Sequence, residues 1–63
     1  MDGYNDWADK GTARAYAKAN GKGMWRTEKD NGDREVFVGA AKPTQNSDGT
    51  DVDKVVTMLP PPA

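Results

Sequence analysis

Residues 24–38 read MWRTEKDNGDREVFV, and this stretch decides the fold of the chain. Two segments that mix β-branched, aromatic and charged residues flank an Asn-Gly pair, Asn31 and Gly32. Such a pair is typical of a β-hairpin, because both residues tolerate the positive φ angles of tight hairpin turns. The pattern therefore predicts a hairpin, which we place at residues 24–41.

The charges around the turn select one register of this hairpin. A loop of residues 31–32 alone would set three pairs of like charges opposite one another, which is destabilising. A loop of residues 30–32, with Gly32 in the left-handed position of a bulge, sets Glu28 opposite Arg34 instead. Each attractive pair contributes only about 0.2–1 kcal/mol, but several pairs that agree can select a register. The three-residue loop also places Lys29 opposite Asp33, Trp25 opposite Phe37 and Met24 opposite Val38.

The chain is short and poor in aliphatic residues. Seven of its 63 residues are Leu, Ile, Val or Phe, and its net charge is −1. A chain of this length buries only about 60% of the surface that its unfolded form exposes, so we expect a small core and marginal stability. Self-association or a partner is a natural supplement to such a core. Because Cys and His are absent, the sequence encodes neither disulfides nor the commonest metal ligands and general base.

The N-terminal segment is rich in alanine and predicts a helix. We place this helix at residues 4–20, because Asn20 and Gly21 form a usual C-terminal stop signal. Gly11 inside the segment costs about 1 kcal/mol relative to alanine. A division into two shorter pieces, the second capped by Thr12, therefore stays open.

One side of the predicted helix carries small side chains and is expected to lie close on a sheet. Trp7 and Tyr16 sit on opposite flanks of that strip, so both can touch a core only at its edges. We favour packing of both aromatic rings over the rims of the sheet. The alternative is an interaction hot spot, where Trp and Tyr are enriched. The strip itself consists of Tyr4, Ala8, Gly11, Ala15 and Ala19.

Residues 42–51 combine Pro, Gly, Asn, Ser and Asp, a composition that predicts a polar loop. Asp48, Asp51 and Asp53 invite a calcium interpretation, since Ca²⁺ prefers clustered carboxylates. Their spacing does not match the twelve-residue calcium loop of helix-loop-helix proteins, and we favour an ordinary mobile loop without a metal.

Residues 52–59 predict a third strand with apolar side chains on both sides, Val56 and Met58 on one of them. Such a strand is either central or covered on both faces. For a chain this small, cover on both faces suggests a second chain. In the tail, residues 60–63, three prolines block the strand from continuing, although an extended polyproline ligand is an alternative.

Together these elements predict a single small domain, residues 1–63, of the α+β class. One N-terminal helix packs on a small antiparallel sheet, which the hairpin and the C-terminal strand form. The alternative is an all-β arrangement in which the alanine-rich segment is only partly helical. No apolar run approaches the ~18 residues of a membrane-spanning helix, and the acidic N-terminus is unlike a signal peptide. We therefore expect a cytoplasmic protein without a membrane partner.

The composition predicts protein binding rather than catalysis. Without Cys or His the usual nucleophile and base pairs are absent, and no glycine-rich phosphate motif appears. We expect neither an enzyme nor a cofactor, but a small inhibitor, adaptor or accessory subunit of a larger protein, of a size common among virus- and phage-encoded proteins. The partner is a larger protein or further copies of the chain. The candidate contact residues are Tyr4, Trp7, Tyr16, Trp25, Val56 and Met58.

Nucleic-acid binding is the first alternative. Lys10, Arg14 and Lys18 recur at every fourth position and predict a basic ridge on the helix. Acidic residues on the same helix favour an ordinary solvated face, because nucleic-acid binders usually cluster positive charge. A structural role in a multi-subunit particle is the second alternative. In the nucleic-acid interpretation, further stacking and phosphate contacts come from Trp25, Phe37 and Arg26.

Overall fold

A computed structural model describes residues 2–62 and shows one helix packed on a four-stranded antiparallel sheet. The α+β class predicted from the sequence is confirmed. The strands follow the spatial order β1-β3-β2-β4, so the two strands of the predicted hairpin occupy the centre of the sheet. The elements are β1 (Gly3–Asp6), a 3-10 helix (Trp7–Asp9), α1 (Lys10–Ala19), β2 (Gly23–Glu28), β3 (Arg34–Gly39) and β4 (Lys54–Leu59).

The hairpin has the register that the charges predicted. Lys29 N–H donates to the carbonyl of Asp33 at 2.9 Å, which closes a loop of residues 30–32. Gly32 has a φ of 90°, in the left-handed region, as the bulge requires. Asn31 accepts a hydrogen bond from the backbone N–H of Asp33 at 3.0 Å and so supports the turn with its side chain. The predicted pairs Glu28–Arg34, Trp25–Phe37 and Met24–Val38 are all present.

Alanine substitutions at two glycines should change stability in opposite directions. Gly32→Ala should lower the free energy of unfolding by about 1 kcal/mol, because alanine disfavours a positive φ. Gly11→Ala is the matched control: Gly11 lies inside α1 with open space where a Cβ would be added. It should raise the free energy of unfolding by about 1 kcal/mol. Urea titrations of both variants measure the two changes, and equal effects would remove the left-handed requirement at Gly32.

The predicted helix over residues 4–20 is wrong at its start. Residues 4–6 belong to β1, which pairs with β3 so that Tyr4 lies opposite Phe37. The remainder is indeed divided, but the division falls between Asp9 and Lys10, and no side chain caps α1. Local alanine content cannot reveal β1, because this strand is formed by pairing with residues 29 to 35 positions away. Within residues 2–62, no helix is long and apolar enough to cross a membrane.

The helix buries a different face from the one predicted. Ala13 and Ala17 are fully buried against Val36 and Val38 of β3, whereas the predicted strip is exposed along α1. The prediction set the phase of the helix from Tyr4, which is not helical. Trp7 and Tyr16 are partly buried against the core, as expected of rings that pack over its edges. The exposed members of the predicted strip are Ala8, Gly11, Ala15 and Ala19.

The second face of the sheet is covered by the segment between β3 and β4. Trp25 and Thr27 on this face are only 3% and 1% exposed, although α1 lies on the other side. Asn46 in the segment is also buried, at 3% exposure, and donates to the hydroxyl of Thr50 and the carbonyl of Asp51, at 3.2 Å each. The predicted loop at residues 42–51 is thus a hydrogen-bonded third layer over the sheet, which we call the loop layer.

The C-terminal strand lies at an edge of the sheet rather than in its centre. It begins at Lys54, two residues later than predicted, and pairs only with β2 among the strands of residues 2–62. The apolar residues on both its sides suggested a strand that is central or covered on both faces, but Val56 on one side is 42% exposed. The predicted tail continues from Pro60 without regular structure, and Ala63 lies outside the described residues.

Candidate interaction surfaces

The hydrogen-bonding pattern of the hairpin determines which backbone groups of β2 face β4. Because Lys29 bonds with Asp33 across the turn, the odd-numbered residues of β2 direct their N–H and C=O groups toward β3. The even-numbered residues, such as Arg26, therefore direct theirs toward β4. This alternation then fixes the pattern on β4 itself.

One of the two open edges of the sheet consists of backbone groups of β4. Val56 lies opposite Arg26 and directs its N–H and C=O inward, toward β2. Its neighbours Val55 and Thr57 consequently direct theirs outward, away from the sheet. A row of outward donors and acceptors is a template for pairing with another strand. We refer to these outward groups of Val55 and Thr57, with the side chain of Val56, as the β4 edge.

Val56 supplies an apolar side chain to the β4 edge. This residue is 42% exposed, and it is the one large hydrophobic residue that is exposed within residues 2–62. Its partner Arg26 lies opposite Val36, a core residue under α1, so Val56 points to the helix side of the sheet. The helix packs mainly over β2 and β3. Met58, two residues along, is partly buried against the core.

Arg26 contributes a positive charge beside Val56. Its Nε atom is buried and has no hydrogen-bond partner, and residues 2–62 form no salt bridge with it. Glu28 lies two residues further along β2 and therefore on the same face as Arg26, but it is already engaged at 3.3 Å by Arg34. On the helix side of the sheet, the apolar Val56 of β4 therefore lies beside the guanidinium group of Arg26 on β2, which lacks an acidic partner within residues 2–62.

Two of the predicted contact residues form a rim around α1. Trp7 lies beneath the ammonium group of Lys10, whose Nζ is 5.0 Å from the ring centroid, a cation–π contact. Trp7 and Tyr16 are both partly buried against the core, so each presents only part of its ring to solvent. They remain candidates for contact at the edge of a larger interface.

The other two aromatic candidates belong to the layer under the loop. Trp25 is 3% exposed and Tyr4 packs edge-on against Phe37, with 4.8 Å between ring centroids. The Tyr4 hydroxyl donates to the carbonyl of Gln45. Burial raises the pKa of this hydroxyl, and the charge of Glu35 adds to the effect. Trp25 in particular holds the layers together and offers almost no surface to a partner.

The residues proposed for nucleic-acid binding are divided between separate surfaces. Lys10, Arg14 and Lys18 are exposed on α1. Arg26 points to the helix side of the sheet, whereas Trp25 lies on the loop side and is buried. Successive residues of a strand point to opposite faces, so neighbouring Trp25 and Arg26 cannot act on one ligand from the same face.

A cleft of about 220 Å³ lies between the hairpin turn and the loop, and it is lined by Lys29, Asp30, Asn31, Asp48, Thr50 and Asp51. The hydroxyl and the backbone N–H of Thr50 donate to Asp48 at 2.6 and 3.0 Å, and they hold the pKa of this carboxyl below its ordinary value. Lys29 lies 3.7 Å from the same carboxyl. The Asp48 carboxyl is thus already engaged, and residues 2–62 contain no group of three or more potential metal ligands.

The sequence predicted Val56 as a contact residue but did not predict its place on an edge strand. The signal that was available is the sequence of β4 itself, which begins with Lys54 and is followed by Pro60, since Lys and Pro are frequent on edge strands. Comparison with known proteins adds no further guide: no protein-family model, curated protein or solved structure matches the chain.

Proposed function

We propose that this chain is a small non-enzymatic protein-binding module that acts as an inhibitor, adaptor or accessory subunit of a larger protein. The β4 edge is the surface that it offers. The observation that carries the proposal is the exposure of Val56 beside the outward backbone groups of Val55 and Thr57. Extended segments of other proteins add to open sheet edges of this kind, with main-chain hydrogen bonds for affinity and side chains for specificity.

The chemistry around the edge indicates what kind of segment fits it. A strand added to β4 would place alternate side chains next to Val56, on the helix side of the sheet. Arg26 lies one strand further in and lacks an acidic partner within residues 2–62. A segment with an apolar residue opposite Val56 and a carboxylate within reach of Arg26 would complement both groups. Trp7 and Tyr16 extend the contact where the larger protein reaches the helix.

Affinity capture with three versions of the chain tests the proposal. Val56→Lys places a charge in the centre of the β4 edge, whereas Ala15→Lys adds the same charge at an exposed position of α1. We expect the wild type and Ala15→Lys to capture the same protein from a cell extract of the source organism. Val56→Lys should weaken that binding at least tenfold, about 1.4 kcal/mol. Undiminished capture by folded Val56→Lys would contradict the use of this edge.

Nucleic-acid binding through Lys10, Arg14 and Lys18 stays the main alternative, because all three are exposed. Such binding would weaken steeply with salt, since each phosphate contact releases counterions. Binding that is insensitive to salt and lost in Val56→Lys favours the protein-binding proposal. A structural role in a particle, a viral or phage origin and a cytoplasmic location remain predictions from the sequence.

A further inference from the structure

We propose that in the free protein a second copy of this chain occupies the β4 edge, with the two β4 strands antiparallel about a two-fold axis at Val56. The inference rests on the proposed function, because both use the same edge. The result is a continuous eight-stranded sheet, in which both helices lie on one side and both loop layers on the other. A larger partner would then have to displace the second copy.

The backbone pattern leaves few possible registers for this pairing. The pairing of β4 with β2 is regular from Lys54 to Thr57 and shifts register after that. Within this regular part only Val55 and Thr57 direct their groups outward, so hydrogen bonds between the copies must join these two positions. The two-fold axis can therefore pass through Val55, Val56 or Thr57. An axis at Val56 bonds Val55 of each copy with Thr57 of the other. The outward N–H and C=O groups of all four residues are then used.

The side chains favour the axis at Val56. It sets the exposed Val56 directly against its counterpart in a non-hydrogen-bonded pair, where side chains approach most closely. Lys54 of each copy then lies opposite Met58 of the other, so the two positive charges stay apart. An axis at Thr57 would place a polar residue at the centre. An axis at Val55 would place Lys54 against Val56 and shorten the overlap.

The other open edge, β1, is less suited to self-pairing. It has four residues instead of six, and acidic residues stand at both its ends: Asp6 is its last residue, and Asp2, which Lys22 contacts at 3.0 Å, precedes its first. An axis at Tyr4 would set Asp2 of one copy opposite Asp6 of the other, which is destabilising. On β4, by contrast, no acidic residue lies within the strand, and the prolines from Pro60 onward end the ladder. The two-fold pairing uses the β4 edge of both copies, so it closes at two chains.

Analytical ultracentrifugation of the purified full chain tests the pairing. We expect a weak dimer that forms at concentrations on the order of 100 µM. Only two residues of each copy form hydrogen bonds across the axis, and small interfaces of less than about 1,200 Å² are weak. Val56→Lys should weaken it at least tenfold. Thr57→Pro should abolish it, because proline removes an outward N–H but no hydrogen bond to β2. Ala15→Lys should dimerise like the wild type. Circular dichroism confirms that each variant is folded.

A single introduced cysteine tests the register, since the chain has no cysteine of its own. Across a non-hydrogen-bonded pair the Cα atoms lie about 4.5 Å apart, within the range that a disulfide bridges. Val56→Cys should therefore oxidise to a covalent dimer at least tenfold faster than Thr57→Cys. This readout does not require that Val56→Lys folds.

Three results would overturn the inference: a wild-type chain that stays monomeric up to about 1 mM, cross-linking that is equal at Val56 and Thr57, or masses that grow beyond two chains. The last result would indicate head-to-tail pairing of β4 with β1. Failure of the proposed function is distinguishable, because mass is measured on the purified chain alone. A monomer that still captures a larger protein through Val56 would end only the self-pairing.

Discussion

Replacing Trp25 with alanine should unfold the protein at room temperature. Trp25 is 3% exposed, between the central strand β2 and the loop layer. Removing a buried Trp side chain costs about 3–5 kcal/mol, because apolar contacts are lost and a cavity is left. A core of this size rarely supplies more than about 3–5 kcal/mol in total. The expected loss therefore equals the whole free energy of unfolding.

Urea titration followed by far-ultraviolet circular dichroism measures this effect. Trp7→Ala is the matched control, since it removes the same side chain from a partly exposed position. Trp7→Ala should lose less stability and remain folded in the absence of urea. If Trp25→Ala were as stable as Trp7→Ala, the loop layer over β2 would not be part of the folded core.

Gly23→Ala should be the second most damaging change, with an expected loss of about 1–3 kcal/mol, the usual cost of overpacking. A Cβ atom at Gly23 would lie 2.5, 2.9 and 3.0 Å from three atoms of the Trp25 ring. The Trp25 ring is almost fully buried, so it has little room to move away from an added Cβ. Gly39 and Phe37 repeat the arrangement on β3, where an added Cβ would come within 2.8 Å of the ring.

A double-mutant cycle isolates the contact between Gly23 and Trp25. In a Trp25→Phe background the smaller ring leaves more space, so Gly23→Ala should cost less there than in the wild type. Thermal denaturation of the four proteins gives the coupling energy. A coupling of zero would mean that the penalty at Gly23 comes from the backbone of β2 and not from the ring above it.

Substitutions at Trp25 and Val56 separate structural from functional residues among the candidate contact residues. Trp25 was a candidate for contact with a partner, but its burial makes it a core residue whose loss should unfold the chain. Val56 is exposed, so its substitution should change association while the fold persists. The distinction depends on the tertiary structure. The loop layer covers Trp25 on one face of the sheet, whereas α1 on the other face packs mainly over β2 and β3 and leaves Val56 exposed.

The register of the hairpin could be predicted because its determinants are close in sequence. The charges of Glu28 and Arg34, the left-handed Gly32 and the side chain of Asn31 all act within seven residues of one another. Each such preference is local, and all of them favour the same three-residue loop. The helix was predicted as an element for the same reason, since alanine content and the Asn20–Gly21 stop are local signals.

The edge, the layers and the buried helix face depended on the tertiary structure. Tyr4 lies in a strand because it pairs opposite Phe37 and its hydroxyl reaches Gln45, 41 residues away. No periodicity within the first ten residues encodes those partners. Likewise, the apolar pattern of β4 is the same in a central strand as at an edge, and only the order of the strands, with β3 between β1 and β2, decides which it is. Local chemistry thus determined the turn and its register, whereas long-range pairing decided which surfaces the chain covers and which it offers to others.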